Sequence, residues 1–203
     1  MIAAIIVAAG RSTRMGISKP LLPHVDSRTT FVRYLINTVR EGGAAPVLVV
    51  GRSEDHQLYR EVLSAGGQLV PNPDADAGQL SSLLAGLNAA SANVRVSGVL
   101  LCPVDVPLIR SSTVSRLIDL AGHETAAILR ATHAGMHGHP VLFKREVFAE
   151  LRAADSAVGA KAVVRANAAR LLDVEVDDPG VTIDVDTPAD YERFFHRPAP
   201  LKR

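Results

Sequence analysis

The feature that most constrains this chain is a set of three unbroken apolar runs, Ala3 to Ala8, Pro46 to Val50 and Gly98 to Cys102. A strand with one wet face alternates apolar and polar residues; a strand covered on both faces has no reason to. The runs therefore predict a parallel sheet with helices on each side. Helical patterns fall between them. Thr30 to Glu41 puts Phe31, Leu35, Ile36 and Val39 on one side and stops at Gly42-Gly43. Gly78 to Ala90 carries Leu80, Leu83, Leu84 and Leu87, and Ser112 to Ala121 carries Leu117 and Ile118 before Gly122. This order of elements predicts an α/β fold in three layers, a doubly wound and mostly parallel sheet.

The second half is less regular. Thr125 to Ala131 reads as a strand, Gly135 to His139 as a glycine and histidine loop, and Val141 to Phe143 as a short strand. Helices are expected over Arg145 to Ala153 and Gly159 to Asn167, with a strand from Leu171 to Val176. Asp177 to Gly180 is a turn by composition, and a last helix opens at Thr187-Pro188 with threonine as cap. With 203 residues, 47% apolar and 21% charged, the chain can bury a sizeable core. Residues 1–197 are expected to form one domain and 198–203 a frayed, disordered tail.

A formal net charge of +1 points to neither nucleic acid nor a membrane surface as partner. Cys102 has no intrachain partner and no spacing resembles a zinc site, which suggests a reducing cytoplasm. The apolar start, Met1 to Ala9, is short for a membrane span and has no basic stretch before it, so it reads as the first buried strand.

Chemistry concentrates just after that strand. Ala8-Ala9-Gly10-Arg11-Ser12-Thr13-Arg14-Met15-Gly16 offers two glycines and two hydroxyls, and Lys19 adds a cation to those of Arg11 and Arg14. Glycines let backbone approach a phosphate chain, amides and hydroxyls donate to it, and cations offset its charge. The end of a central strand is also where open α/β sheets bind ligands. Five residues between the glycines and Ile17-Ser18 before Lys19 rule out a Walker loop, and G-x-G-x-x-G is absent. By these residues alone, an ordinary basic surface loop remains an equal reading.

Four further segments carry candidate groups. Asn72-Pro73-Asp74-Ala75-Asp76-Ala77-Gly78-Gln79-Leu80-Ser81-Ser82 ends a strand and opens a helix, whose free amides suit polar groups of a base or ribose or simply mark a capped helix. Asp105, between Pro103 and Pro107 at the tip of an apolar strand, could hold a cation or cap a turn. Asp184 and Asp186 alternate on an expected short strand before the last helix; so close, they repel unless a cation or donors intervene. His137 and His139 could contact phosphate or ring atoms or be surface histidines.

The run Ala8-Ala9-Gly10-x-Ser12-x-Arg14-Met15-Gly16-x-x-Lys19-x-Leu21-Leu22 resembles the opening of the MobA-like NTP transferase family, which includes molybdopterin cytidylyltransferases and guanylyltransferases. Its Ala-Ala-Gly opening is nearer the cytidylyl type, which implies CTP over GTP. The resemblance implies a Rossmann-like nucleotidyltransferase fold, with Ala8, Ala9, Gly10, Ser12, Arg14, Lys19, Gly78, Ser81 and Ser82 binding the nucleotide. Asp74 and Asp76 are read as caps or solvated acids. The resemblance further implies that Asp105-Val106-Pro107 and the Asp184-Val185-Asp186-Thr187-Pro188 run supply Mg²⁺ ligands, Asp105, Asp184 and Asp186. Lys19, Arg14 and Asp105 are implied to be catalytic, and Gly138 and His139 to bind the acceptor. Val106 stands where many relatives have Gln or His.

The activity so implied is Mg²⁺-dependent transfer of a nucleotidyl group, CMP by preference, from an NTP to a small phosphorylated acceptor, with molybdopterin as best guess and a molybdoenzyme or its chaperone as a further partner. Two other readings share the scaffold: an NAD(P)H-dependent reductase of a quinone-like substrate, against which the missing dinucleotide fingerprint counts, and a non-catalytic nucleotide-binding or maturation protein.

Overall fold

A computed structural model describes residues 1–26 and 28–200; residues 201–203, where half of the expected tail falls, lie outside the described residues. In chain order the elements are β1 (Ile2–Val7), α1 (Phe31–Glu41), β2 (Val47–Gly51), α2 (His56–Ser64), β3 (Gln68–Pro71), α3 (Gln79–Ser91), β4 (Gly98–Pro103) and α4 (Ser111–His123). They continue with β5 (Ile128–His133), β6 (Met136–Lys144), α5 (Phe148–Ala153), α6 (Ala160–Ala166), β7 (Leu171–Glu175) and α7 (Pro188–Phe195). The seven strands form one sheet in the order β3-β2-β1-β4-β6-β5-β7. All pairings are parallel except those of β6, which runs against both β4 and β5.

The unbroken apolar runs are the central strands, and their pleat explains the three layers. Ile2, Ala4 and Ile6 of β1 face one side, where they meet the buried faces of α1, α2, α4 and α7. Ala3, Ile5 and Val7 face the other, against α3, α5 and α6. Each residue of β1 is buried, so neither face had room for a polar residue. The helices start where local chemistry satisfies their free amides. The Thr30 hydroxyl accepts from the Arg33 amide at 3.3 Å, and Asp55 accepts from Leu58 at 3.0 Å. Thr187 and Asp190 cap α7 reciprocally, with Pro188 at the first helical position.

The structure corrects several sequence expectations. α2 was not anticipated, whereas the strand expected to end at Asn72 is β3. The expected Gly135–His139 loop is instead the first half of β6: Ala134 and Gly135 turn with φ of 50° and 74°, so the hairpin closes in two residues and the ladder begins at Met136. The expected strand at Asp184–Asp186 makes no ladder, because the Val185 amide is spent on the Asp105 carbonyl at 2.7 Å. The segment before it, Pro179–Thr182, is a 3-10 turn rather than a simple turn. Helix α4 runs through Gly122 to His123, and Arg145–Val147 is a 3-10 turn ahead of α5.

That C-terminal segment is clamped to the sheet edge. Asp178, 2% exposed, accepts from the Arg110 amide at 2.8 Å and the Thr113 hydroxyl at 2.6 Å, so it caps α4 from outside. Gly180 lies so close to the Leu108 carbonyl that a Cβ there would sit 2.1 Å from its oxygen. Both parties to that contact are backbone, so neither can swing away. Gly180→Ala is expected to cost about 1–3 kcal/mol through overpacking, read as a lower urea midpoint; an unchanged midpoint would show that the clamp yields.

Candidate active site

The site is built at the carboxyl ends of β1 and β4, the two strands paired at the centre of the sheet. After β1 the chain buries Ala8 and Ala9, 5% and 4% exposed, and the Ala8 amide donates to Val50. It then emerges at Gly10, where an added Cβ would meet no atom of the chain within 4 Å. Nothing internal requires glycine there, so its openness leaves the backbone accessible to a ligand. Ser12 adopts a left-handed backbone, φ 51°, and its hydroxyl accepts from the Lys19 amide at 3.1 Å. Met15, 4% exposed, anchors the loop from below.

Lys19 is where the segments converge. Its side chain is 10% exposed, and its ammonium donates to Asp186 at short range and to Asp105 at 3.5 Å. Arg14 reaches the other Asp186 oxygen at 2.8 Å. Backbone bonds fix the carboxylates: Val104 donates to Val7, and the Asp105 carbonyl receives the Val185 amide. Below them His24, 6% exposed, donates from Nε2 to the Pro107 carbonyl at 3.0 Å and stacks on Tyr34. Burial holds its pKa below the usual value.

On the facing wall, Asn72 donates to the Ser81 and Ser82 hydroxyls at 2.9 and 3.0 Å. Gly78 precedes α3 with φ 96°, a conformation that favours glycine. Asp76 is paired on both sides, with Arg11 at 2.5 Å and Arg52 at 2.5 Å, so it braces the phosphate-type loop against this wall. The arginines hold its carboxyl far below the ordinary range.

Two cavities result. The narrower, about 360 Å³, is lined by Ala8, Ala9, Gly10, Ser12, Arg14, Lys19, Gly78, Ser82, Asp105 and Asp186 among others. Ser81 stands behind this wall, its hydroxyl turned to the Asp74 and Gly78 carbonyls. The wider, about 960 Å³, takes in Gly138, His139 and Asp184 and shares Gln79 with the first. Alternate residues of one link thus face different chambers. Gly138 also has a packing reason to be glycine, since a Cβ would sit 2.1 Å from the Val181 oxygen. The Nδ1 of His139 is buried without a protein partner, and burial lowers the pKa of this ring.

Asp105 and Asp186 close on the Lys19 ammonium, and Asp184 stands near enough to both carboxylates to feel their repulsion. Desolvation, then repulsion from Asp105 and Asp186, raises the pKa of Asp184. Carboxylate oxygens with residual charge suit a hard divalent cation. Among the described residues no group of three or more His, Cys, Asp and Glu side chains is arranged to hold a metal ion, so the expected set of Asp105, Asp184 and Asp186 does not converge as one ligand shell. Such an ion would complete its shell with water and substrate oxygens, as Mg²⁺ commonly does.

Residues 4–173 match the MobA-like NTP transferase domain. The chain belongs to that family. It is similar to the molybdenum cofactor cytidylyltransferase of Escherichia coli, 27% identical over 191 residues and 92% of each chain. It is also similar to the bifunctional protein GlmU of Pelobacter propionicus, 32% identical over 155 residues, which span 74% of this chain but only 33% of that longer protein. Among solved structures, Rv0371c of Mycobacterium tuberculosis superimposes with a TM-score of 0.80 at 29% identity over 97% of both chains, and that protein has also been solved in complex with manganese. Homologues of this chain are nucleotidyl- and cytidylyltransferases, and the sheet is the nucleotidyltransferase scaffold. No helix among the described residues is long and apolar enough to cross a membrane.

Sequence reasoning did not single out Gln79, His24 or Lys161. Gln79 opens α3 between the chambers, and Lys161 of α6 lines the wider one. A buried histidine in a loop and a lone lysine on a short helix carry no spacing signal. Asp184 gives a test of the electrostatics. Its folded pKa lies above the unfolded value of about 3.9, so stability is lost as pH rises from that ordinary value through the folded pKa. Without divalent ions, Asp184→Asn is expected to be more stable than the parent at pH 7. That advantage should shrink as pH falls through the raised pKa to the ordinary one. Melting curves across pH check this; equal stability at pH 7 would mean the carboxylate is already compensated.

Proposed function

We propose that the protein transfers a nucleotidyl group, CMP by preference, from an NTP to the phosphate of a small acceptor and releases pyrophosphate. One domain, residues 1–197, carries the activity. The observation behind this reading is the convergence of Lys19, Asp105 and Asp186 at the mouth of the glycine-loop cleft. In the proposed arrangement the triphosphate lies along Gly10 to Arg14, with loop amides and the Ser12 hydroxyl donating to it. Ala75, Gly78, Gln79 and Ser82 face the base and ribose from the other wall.

An acceptor phosphate oxygen forms a bond to the α-phosphorus while the bond from that phosphorus to the β-bridging oxygen breaks. Pyrophosphate leaves with the electron pair. A phosphate dianion brings its own nucleophilic oxygen, so no general base is needed. Lys19 and Arg14 balance charge that builds on the leaving group, and alignment supplies much of the rest. Asp105 and Asp186, with Asp184 at the rim, are the residues that would hold the divalent ion, Mg²⁺ in this proposal. When bound, that ion supplies electrophilic polarisation of phosphate oxygens.

The cytidylyl preference rests on the Ala8-Ala9-Gly10 opening and on the similarity to the Escherichia coli molybdenum cofactor cytidylyltransferase. The same similarity supports molybdopterin as acceptor, and a molybdoenzyme or its chaperone as the protein that receives the product. Pyrophosphate release is expected with Mg²⁺, CTP and molybdopterin, more slowly with GTP, and NADPH should not be oxidised. Lys19→Ala and Asp105→Ala are each expected to cut turnover ~10²-fold or more while far-ultraviolet circular dichroism stays unchanged. Near-parental turnover in either folded variant refutes the assignment.

A further inference from the structure

The Asp105 carboxylate is aimed without being tied. Its close partner is the Lys19 ammonium, at a long 3.5 Å, and the side chain stays partly exposed. A carboxylate that is to meet a ligand must keep its oxygens uncommitted, so its direction has to come from the main chain and what supports it. On the sheet side that support is backbone: Val104 donates to Val7 at 3.1 Å and Val106 back to Pro103 at 3.2 Å. Beyond Val106 the chain leaves the sheet, and Pro107 has no amide to donate. Two side chains take over there. His24 Nε2 donates to the Pro107 carbonyl at 3.0 Å, and the Tyr34 hydroxyl donates to the Ile109 carbonyl at 3.2 Å.

The two rings form one grip. They stack with centroids 3.8 Å apart and planes 10° from parallel, and Phe195 closes edge-on against His24 at 5.2 Å. Phenylalanine would fill this aromatic cluster without the cost of burying a polar ring, so the imidazole there has a use beyond filling space. His24 also follows the 3-10 turn Lys19–Leu21 on the same stretch of chain. Its bond therefore joins the lysine's segment to the aspartate's segment without drawing on either charge. We propose that His24, with Tyr34 stacked on it, is a positioning residue for nucleotidyl transfer: the pair holds the turn after Asp105 so that the carboxylate stays in line with Lys19 across the cleft. The inference rests on the transfer reading for the reaction, and on the bonds above for the geometry. Neither ring lines the narrower cavity. The effect of losing the grip should therefore fall on alignment and not on nucleotide binding.

Three variants separate the grip from packing. His24→Phe keeps an aromatic stack and removes the donor, His24→Gln keeps a donor of similar reach, and Tyr34→Phe removes only the hydroxyl. Pyrophosphate release with Mg²⁺, CTP and molybdopterin is measured beside amide hydrogen exchange of the full chain. His24→Phe is expected to lower kcat ~10-fold while the KM for CTP stays within about twofold. The Val185 amide, which donates to the Asp105 carbonyl, should exchange ~10-fold faster while β2 keeps its parental protection. Tyr34→Phe should move both quantities the same way by less, and His24→Gln should restore most of both. Parental kcat or parental Val185 exchange in His24→Phe overturns the proposal. So does protection lost evenly across α1 and β2, or a loss in His24→Gln as large as in His24→Phe, since either would make His24 a packing residue only. If the parental protein releases no pyrophosphate, the transfer reading falls, and Val185 exchange alone still decides whether the rings hold Asp105.

Discussion

A nearly buried ammonium, Lys19, is held between carboxylates that arrive from distant parts of the chain, Asp105 at a separation of 86 residues and Asp186 at 167. A charge so withdrawn from water is tolerated only with partners, and removal of one leaves the other groups uncompensated. The arrangement therefore couples three segments: the loop after β1, the tip of β4 and the link before α7. Backbone contacts hold those segments in place independently of the charges. Val104 donates to Val7, Val185 donates to the Asp105 carbonyl, and His24 donates to the Pro107 carbonyl.

The link at Asp184–Asp186 has a second consequence. Because it is not paired in the sheet, its alternate side chains serve different chambers, Asp186 the narrower and Asp184 the wider. A ladder would have committed the Val185 amide to a neighbouring strand; it holds Asp105 instead. In the proposed reaction this link stands between donor and acceptor, where charges on both substrates must be balanced. The clamp beneath it, formed by Asp178 and the close approach of Gly180 to Leu108, fixes where the link begins.

Much of this was legible in the sequence because it follows from local rules. Unbroken apolar runs became the central strands, and Gly10 to Lys19 became one wall of the narrower cavity. What escaped detection depended on tertiary partners. α2 buries only Leu58 and Val62, so it shows no strong period. The histidine-rich segment looked like a loop because composition does not report a two-residue turn at Ala134-Gly135. Ser81 and Ser82 are neighbours in sequence, yet one faces the cleft and the other backs onto Asp74, which only helix rotation decides.

One triphosphate and one divalent ion are proposed to share the space around Lys19, Asp105 and Asp186. A crystal of the protein soaked with CTP and Mn²⁺, with anomalous scattering collected at the manganese edge, tests it most directly. A manganese peak is expected within coordination distance of Asp105 or Asp186, with triphosphate density along Gly10 to Lys19. A metal and nucleotide bound together in another part of the molecule, with this cleft filled only by solvent, would contradict it.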